Sequence, residues 1–399
     1  MRQSPDCLVR VLTAALTASP FLCGTAQADT LSGIGVNAAA EYSSNPFFLN
    51  GKDLSAVRAQ LTVSPFVEER TARSSLRVAG NATVSAYSRR YDESIDLSTQ
   101  VDYRNTLTRQ LSVRAGVALS STVGSIYNLS NIFAPVVNPG VAPQIIDITV
   151  LGTQDRSTQA SGSAGVSYII NDKNTLSLDY SGSVLRYPSA NARSEYSTVQ
   201  QTLSYSRTIN SRTSAGASVG VTKINYFGGP IGDARIIAPS INGSTRVSSR
   251  WLVSGSIGVS LSRVDLGVIR LNSQNLSGSL NACRNDTRTT FCLNAGRSTS
   301  ASAFDGLRTS TSIGANYSYR LSARDTFSAS GGYSRSAAPS RLVSTVETID
   351  YLSGNASWTR RLSDRMSGYV SAGFSQSAFQ GTRRSVTASI GINYGFGNR

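Results

Sequence analysis

Ser385-Val386-Thr387-Ala388-Ser389-Ile390-Gly391-Ile392-Asn393-Tyr394-Gly395-Phe396 alternates at every step between two kinds of residue. Val386, Ala388, Ile390, Ile392, Tyr394 and Phe396 fall on one face, against Ser385, Thr387, Ser389, Gly391, Asn393 and Gly395 on the other. Successive side chains of a strand point to opposite sides, so a strict period of two describes a strand between unlike environments. Composition says which environments these are. Charged residues make up only 15% of the chain, and Ser, Gly, Thr, Ala and Tyr stand where a soluble core would carry Leu and Ile. That mixture suits a closed sheet with lipid outside and water inside, where neither face needs bulky packing.

The same split recurs from residue 32 onward. Trp251, Val253, Ile257, Val259 and Leu261 oppose Ser254, Ser256, Ser260 and Ser262. Leu76, Val78, Ala82 and Val84 oppose Arg77, Asn81, Thr83 and Ser85. No apolar run reaches the roughly 20 residues that a spanning helix needs. About sixteen such segments can be counted, joined by two kinds of connection. Tight polar turns fall at 70–73, 108–110, 171–174, 210–212, 248–250, 322–325 and 363–365. Wider connections alternate with them, at 45–53, 90–93, 123–152, 188–194, 227–233, 265–306, 337–342 and 380–382. Short turns at one end and long loops at the other mark a transmembrane antiparallel up-and-down β-barrel, all-β, with periplasmic termini. Lipid leaves backbone groups unsatisfied, so the first strand (Ile34, Val36, Ala38, Ala40 and Tyr42 outward) must pair with the last. Tyr103, Tyr168, Tyr180, Trp251, Tyr317, Tyr319 and Trp358 fall on outward faces near strand ends, as in interfacial girdles.

Residues 1–28 read as a secretory signal peptide: Arg2 and Arg10, an apolar run, then Ala26-Gln27-Ala28. The barrel is expected over residues 29–399. Net charge is +15, falling to +14 when Arg2, Arg10 and Asp6 are set aside. All basic residues but Lys52, Lys173 and Lys223 are Arg. An exported chain has no nucleic acid to meet. The arginines suit lipopolysaccharide and outer-membrane lipid at the rim, or an anion-favouring lumen. Cys283 and Cys292, nine apart in a polar stretch, are expected to form a loop disulfide in the oxidising periplasm. With no His in the chain, neither a metal site nor a cofactor is expected.

Ser389-Ile390-Gly391-Ile392-Asn393-Tyr394-Gly395-Phe396 resembles the β-signal by which barrel-assembly machinery recognises its substrates, carried by Ser389, Gly391, Tyr394 and Phe396. It departs from the commonest form in that Gly397, Asn398 and Arg399 follow the final Phe396. Near the other end, Glu41-Tyr42-Ser43-Ser44-Asn45-Pro46-Phe47 and Leu61-Thr62-Val63-Ser64-Pro65 resemble the opening of the beta-barrel porin (type two) family. The resemblance implies an outer-membrane pore, with polysaccharide traffic and polysaccharide-export proteins as partners, since members accompany exopolysaccharide loci.

Catalysis is not expected. Outer-membrane hydrolases use a His base, and Glu68-Glu69 and Asp92-Glu93 sit at strand ends or turns where solvated charge is the default. Strand parity instead points Arg58, Arg77, Arg104, Arg114, Arg246, Arg308 and Arg383 inward, with Glu41, Asp96, Asp102 and Asp179. These line a mildly cationic path or brace the lumen by ion pairs. The loop 123–152 holds Ile132, Phe133, Val136, Val137, Ile145 and Ile146 among three prolines. Such a loop is too apolar for open water, so it is expected to narrow the pore or meet a neighbour. The two readings are a porin-like channel for sugars, anions or exopolysaccharide, and a structural or adhesive anchor whose long loops bind partners.

Overall fold

The computed structural model describes residues 29–123, 155–188, 194–227, 232–265, 270–303, 306–338, 348–378 and 381–397. The strands are β1 (Asp29–Ser43), β2 (Ala56–Arg70), β3 (Ser74–Tyr87), β4 (Ser94–Thr106), β5 (Leu111–Val123) and β6 (Arg156–Asn171). There follow β7 (Asn174–Arg186), β8 (Glu195–Asn210), β9 (Thr213–Phe227), β10 (Ala234–Arg246), β11 (Trp251–Asp265) and β12 (Arg270–Asn285). The last six are β13 (Thr289–Ser302), β14 (Gly306–Arg320), β15 (Asp325–Ala337), β16 (Thr348–Arg361), β17 (Met366–Ala378) and β18 (Thr382–Gly397). Each pairs antiparallel with the next, and β1 pairs with β18 as well as with β2. The sheet is therefore a closed up-and-down barrel without an edge.

It has 18 strands, not about sixteen. The stretch 265–306, expected as one long loop, folds instead as the hairpin β12–β13. Its turn lies at the end of the barrel where the other tight turns lie. There the Asp286 amide donates to the Thr289 carbonyl at 2.8 Å, and the Asp286 carboxylate stands 3.1 Å from Arg250 and 3.7 Å from Arg284. The Thr287 amide, helped by the two arginines, holds the Asp286 carboxyl below its ordinary range. The disulfide is correspondingly not a loop staple. Cys283 and Cys292 are bonded directly across β12 and β13, with Cα atoms 4.1 Å apart, the close spacing of a non-hydrogen-bonded pair.

Inside and outside can be told apart by contact. Ile224 of β9, Ile236 of β10 and Val264 of β11 cluster with Leu307 of β14. Strands that far apart in the sheet meet only through the interior. The opposite face exposes Ile34, Leu61, Val84, Leu178, Ile241, Ile257, Leu280, Ile313, Val370 and Ile390. This is the apolar outer band expected from the alternation. On the inner face, Gly391 lies opposite Tyr369, whose ring occupies the place a side chain would take: a Cβ on Gly391 would stand 2.6 Å from it. Aromatic cover of a strand glycine braces the closing strands.

Candidate functional site

The inner wall divides into two arcs of different chemistry. The first, β1 to β7, carries acids and arginines together, several of them paired across strands. Arg58 lies opposite Glu41 in register and donates to it at 2.7 Å, both largely buried. Arg77 lies opposite Asp102 and over the Phe66 ring at 5.8 Å, a cation–π contact. Asp96 accepts from the Val123 amide at 2.8 Å. Arg114 of β5 and Asp179 of β7 are separated in the sheet by Gly165 of β6, opposite both. Arg114 Nε reaches over that glycine to Asp179 at 3.0 Å. A Cβ on Gly165 would collide with the Asp179 carboxylate and stand 2.7 Å from Arg114 Nε, so the glycine makes the bridge possible. With Asp29, Glu68 and Arg70, the arc holds six acids and five arginines, a formal net charge of −1.

The second arc, β8 to β18, is lined by Ser, Thr, Asn and Gly. Among the described residues its inner-face charges are Arg246, Arg308, Arg320, Arg361 and Arg383, each within three residues of a strand end. Between these ends run cross-strand hydroxyl pairs: Ser218–Ser240 at 2.8 Å, Ser256–Ser279 at 2.9 Å, Ser328–Ser357 at 2.7 Å and Ser371–Ser389 at 2.6 Å. Each hydroxyl has further hydrogen-bonding capacity beyond its partner. A hollow of about 290 Å³ on this wall takes in Thr290, Asn316, Ser318, Ser328, Ser330 and Asn355.

Two elements fold inward at the end that carries the wider connections, the wide end, opposite the narrow end of the tight turns. The first is the β1–β2 connection, 44–55. Asn45 closes it on itself, accepting from the Leu49 amide at 2.9 Å and donating to the Leu49 carbonyl at 3.0 Å. Phe47 packs on Tyr91 and Tyr87, with centroids 5.0 and 5.8 Å away, while Phe48 meets Tyr351 of β16 at 6.3 Å. Arg383 donates to the Phe48 carbonyl at 2.7 Å. Burial under this loop pushes the Tyr91 phenol up, and its hydroxyl donates to the Leu54 carbonyl at 2.8 Å. The second element is the end of the β13–β14 hairpin. Leu307 and Ala301 carry the parity of the outer face, yet they pack on Ile224, Ile236, Val264, Tyr196 and Tyr226. The hairpin end has leaned into the barrel and laid its outer side on the inner wall of β8–β11. Arg308, 1% exposed, donates there to the Ser336 hydroxyl at 2.9 Å.

The eleven residues expected to line the path all stand on the face opposite the apolar band, but in three settings. Glu41, Arg58, Arg77, Asp96, Asp102, Arg104, Arg114 and Asp179 belong to the charged arc. Arg246 closes β10 at the narrow end. Arg308 and Arg383 hold the two inward-folded elements. The loop 123–152 lies outside the described residues except for Val123, as do residues 1–28. Sequence reading missed both elements that narrow the wide end. The doublet Phe47-Phe48 after Asn45-Pro46 was the available signal for one. For the other it was the run of apolar residues at inward positions, Ile224, Ile236 and Val264.

One expectation about the charges can be checked directly. Asp179→Asn frees Arg114 and should move the reversal potential in a salt gradient toward anions. Stability should change by less than about 1 kcal/mol, because the pair is part-exposed. An unmoved potential would place the pair off the conducting path.

No family model matches the chain, and no curated protein sequence does. Among solved structures it is similar to OccK2 (OpdF) of Pseudomonas aeruginosa, with TM-score 0.50 and 10% identity, over 92% of this chain and 98% of that one. It is also similar to OprD of Pseudomonas aeruginosa, with TM-score 0.46 and 11% identity, over 96% and 100%. Both are outer-membrane porins. At such identity the likeness is one of fold.

Proposed function

We propose that the chain is an outer-membrane diffusion channel for polyhydroxylated solutes. The observation that carries this is the hydroxyl-lined arc from β8 to β18, facing a charged arc whose six acids nearly cancel its five arginines. Closed barrels of 16–18 strands leave an aqueous lumen. Its wall of paired Ser and Asn side chains can trade hydrogen bonds with a sugar as water does, step by step, and holds no strong charge to trap an ion. The remaining arginines at strand ends give a mild preference for anions. In this reading residues 1–28 direct export, the β-signal delivers the chain to the assembly machinery, and lipopolysaccharide surrounds the rim. The opening likeness to the beta-barrel porin (type two) family makes exopolysaccharide fragments the favoured cargo.

Liposome swelling tests the reading. Proteoliposomes should admit neutral mono- and disaccharides faster than amino acids of equal mass. Equal rates for both, at any size, would remove the claim for hydroxyl selectivity. One observation favours the anchor reading, namely the two elements folded into the wide end. A sealed lumen would admit nothing.

The topology has its own check. A thiol label at position 287 should be unreachable in intact cells, whereas one at position 92 should react. Labelling at 287 alone would invert the barrel. Since 286–288 lies with the tight turns, it belongs on the periplasmic side.

A further inference from the structure

We propose that the end of the β13–β14 hairpin is a gate with two seats, one inside the lumen and one in the barrel wall. The inference rests on the channel reading only for its effect on current. Its motion can be tested without it.

The structure shows the inner seat and leaves the outer one vacant. β12 and β13 pair from Asn285↔Thr290 up to Gly278↔Arg297 and then separate, although both strands continue. Among the described strands this is the shortest ladder. Above it, 270–277 of β12 pair only with β11, and 298–302 of β13 only with β14. Cys283–Cys292 fastens the same ladder below the point where it parts, so the separation cannot run to the bottom of the wall.

Continuing the established register would place Ser277 opposite Ser298, Leu276 opposite Thr299, Asn275 opposite Ser300, and Gln274 opposite Ala301. That seat is chemically complementary. Asn275 and Ser300 share the inner face. In the present position the Asn275 Nδ2 group is buried without a hydrogen-bond acceptor, and so is the neighbouring Ser260 Oγ without any partner. A buried unpaired polar group is costly, and each marks a place that another arrangement satisfies. The zipped wall gives Asn275 the Ser300 hydroxyl and uncovers Ser260 to lumenal water.

The inner seat is equally built. Ser260, Ser262 and Val264, successive inner residues of β11, are each under 5% exposed, whereas Ser254 and Ser256 lower on the same face are only part-covered. The hairpin end packs directly on Val264, the uppermost of the three. Leu307, Ile224, Ile236 and Val264 supply apolar contact where a lumen would otherwise be hydroxylated. One seat offers apolar burial, the other backbone pairing. Swinging between them opens or narrows the wide end of the lumen.

Engineered disulfides test this. Asn275→Cys with Ser300→Cys places a pair eight residues along β12 from Cys283, on the same face and in the same kind of non-hydrogen-bonded position. It can close only in the wall seat. Val264→Cys with Leu307→Cys can close only in the lumen seat. Peptide mapping of oxidised protein separates each bond from the native one, and the parent given the same reductant controls for Cys283–Cys292. Both bonds should form in their own variants. The wall lock should hold single channels at the higher conductance level, and the lumen lock should abolish that level until reduced. Quantitative closure of 264–307 with 275–300 remaining reduced would show a fixed hairpin and overturn the proposal. Closure of 275–300 with conductance equal to that of the lumen lock would show a hairpin that moves without gating. A parent that never conducts would instead defeat the channel reading, while the two bonds would still report the motion.

Discussion

Arg58→Met is expected to lower the stability of the folded barrel by about 3–5 kcal/mol, the usual cost of stripping one partner from a buried ion pair. The Arg58 guanidinium and Glu41 carboxylate have side chains only 8% and 14% exposed, and they meet at 2.7 Å. At that burial little water can replace a lost partner. Methionine keeps the length of the arginine stem, so the loss reports charge and hydrogen bonding more than packing. Glu41→Gln combined with Arg58→Met should recover much of the deficit, because it leaves no uncompensated charge. Urea unfolding of the micelle-folded barrel, read by gel mobility, measures both. A single variant with the parental midpoint would show that the pair contributes nothing.

Tyr394→Ser together with Phe396→Ser should deplete the assembled barrel from the outer membrane. Phe396 is 53% exposed on the apolar band, and its ring lies 4.4 Å from that of Tyr394. They stand opposite Ile34 and Val36 across β1–β18, the pair of strands that closes the sheet. Two serines there forfeit about 1.5–3 kcal/mol of apolar burial for each ring, on the seam where an unclosed sheet would expose its edge to lipid. They also remove the two aromatic positions of the proposed β-signal. Immunoblots of outer-membrane fractions against total protein measure the outcome. Parental levels of folded double variant would reject both the recognition role and the lipid-facing role of these rings.

What the sequence made legible was the period of two, and with it the barrel, its closure and the side on which Arg58 or Asp179 stands. These follow because a strand between lipid and water leaves its pattern in every residue. The hairpin β12–β13 was illegible for a physical reason. Its upper outward positions, Asn272, Gln274, Arg297 and Thr299, are polar, so the apolar half of the alternation shrinks to Leu276, Leu280 and Ala282 on β12 and to Phe291, Leu293 and Ala295 with the terminal Ala301 on β13. A strand whose end leaves the lipid-facing wall has no need of an apolar outer face. Polar outward residues on β13 were therefore a consequence of the leaning hairpin, mistaken for a loop. The sorting of charge into one arc was hidden differently. Each inward residue could be assigned by parity, but which strands sit side by side around the lumen matters only once closure sets their order. Gly165 shows the point. Its role as the gap under the Arg114–Asp179 bridge depends on three strands being in register.

Planar-bilayer recording of the purified chain in a salt gradient shows whether its hydroxyl-lined lumen conducts. Steady single-channel openings are expected, with a reversal potential displaced weakly toward anions and a displacement that shrinks as salt screens the strand-end arginines. Folded protein that inserts but gives no openings, or openings with strong cation preference, would contradict that expectation.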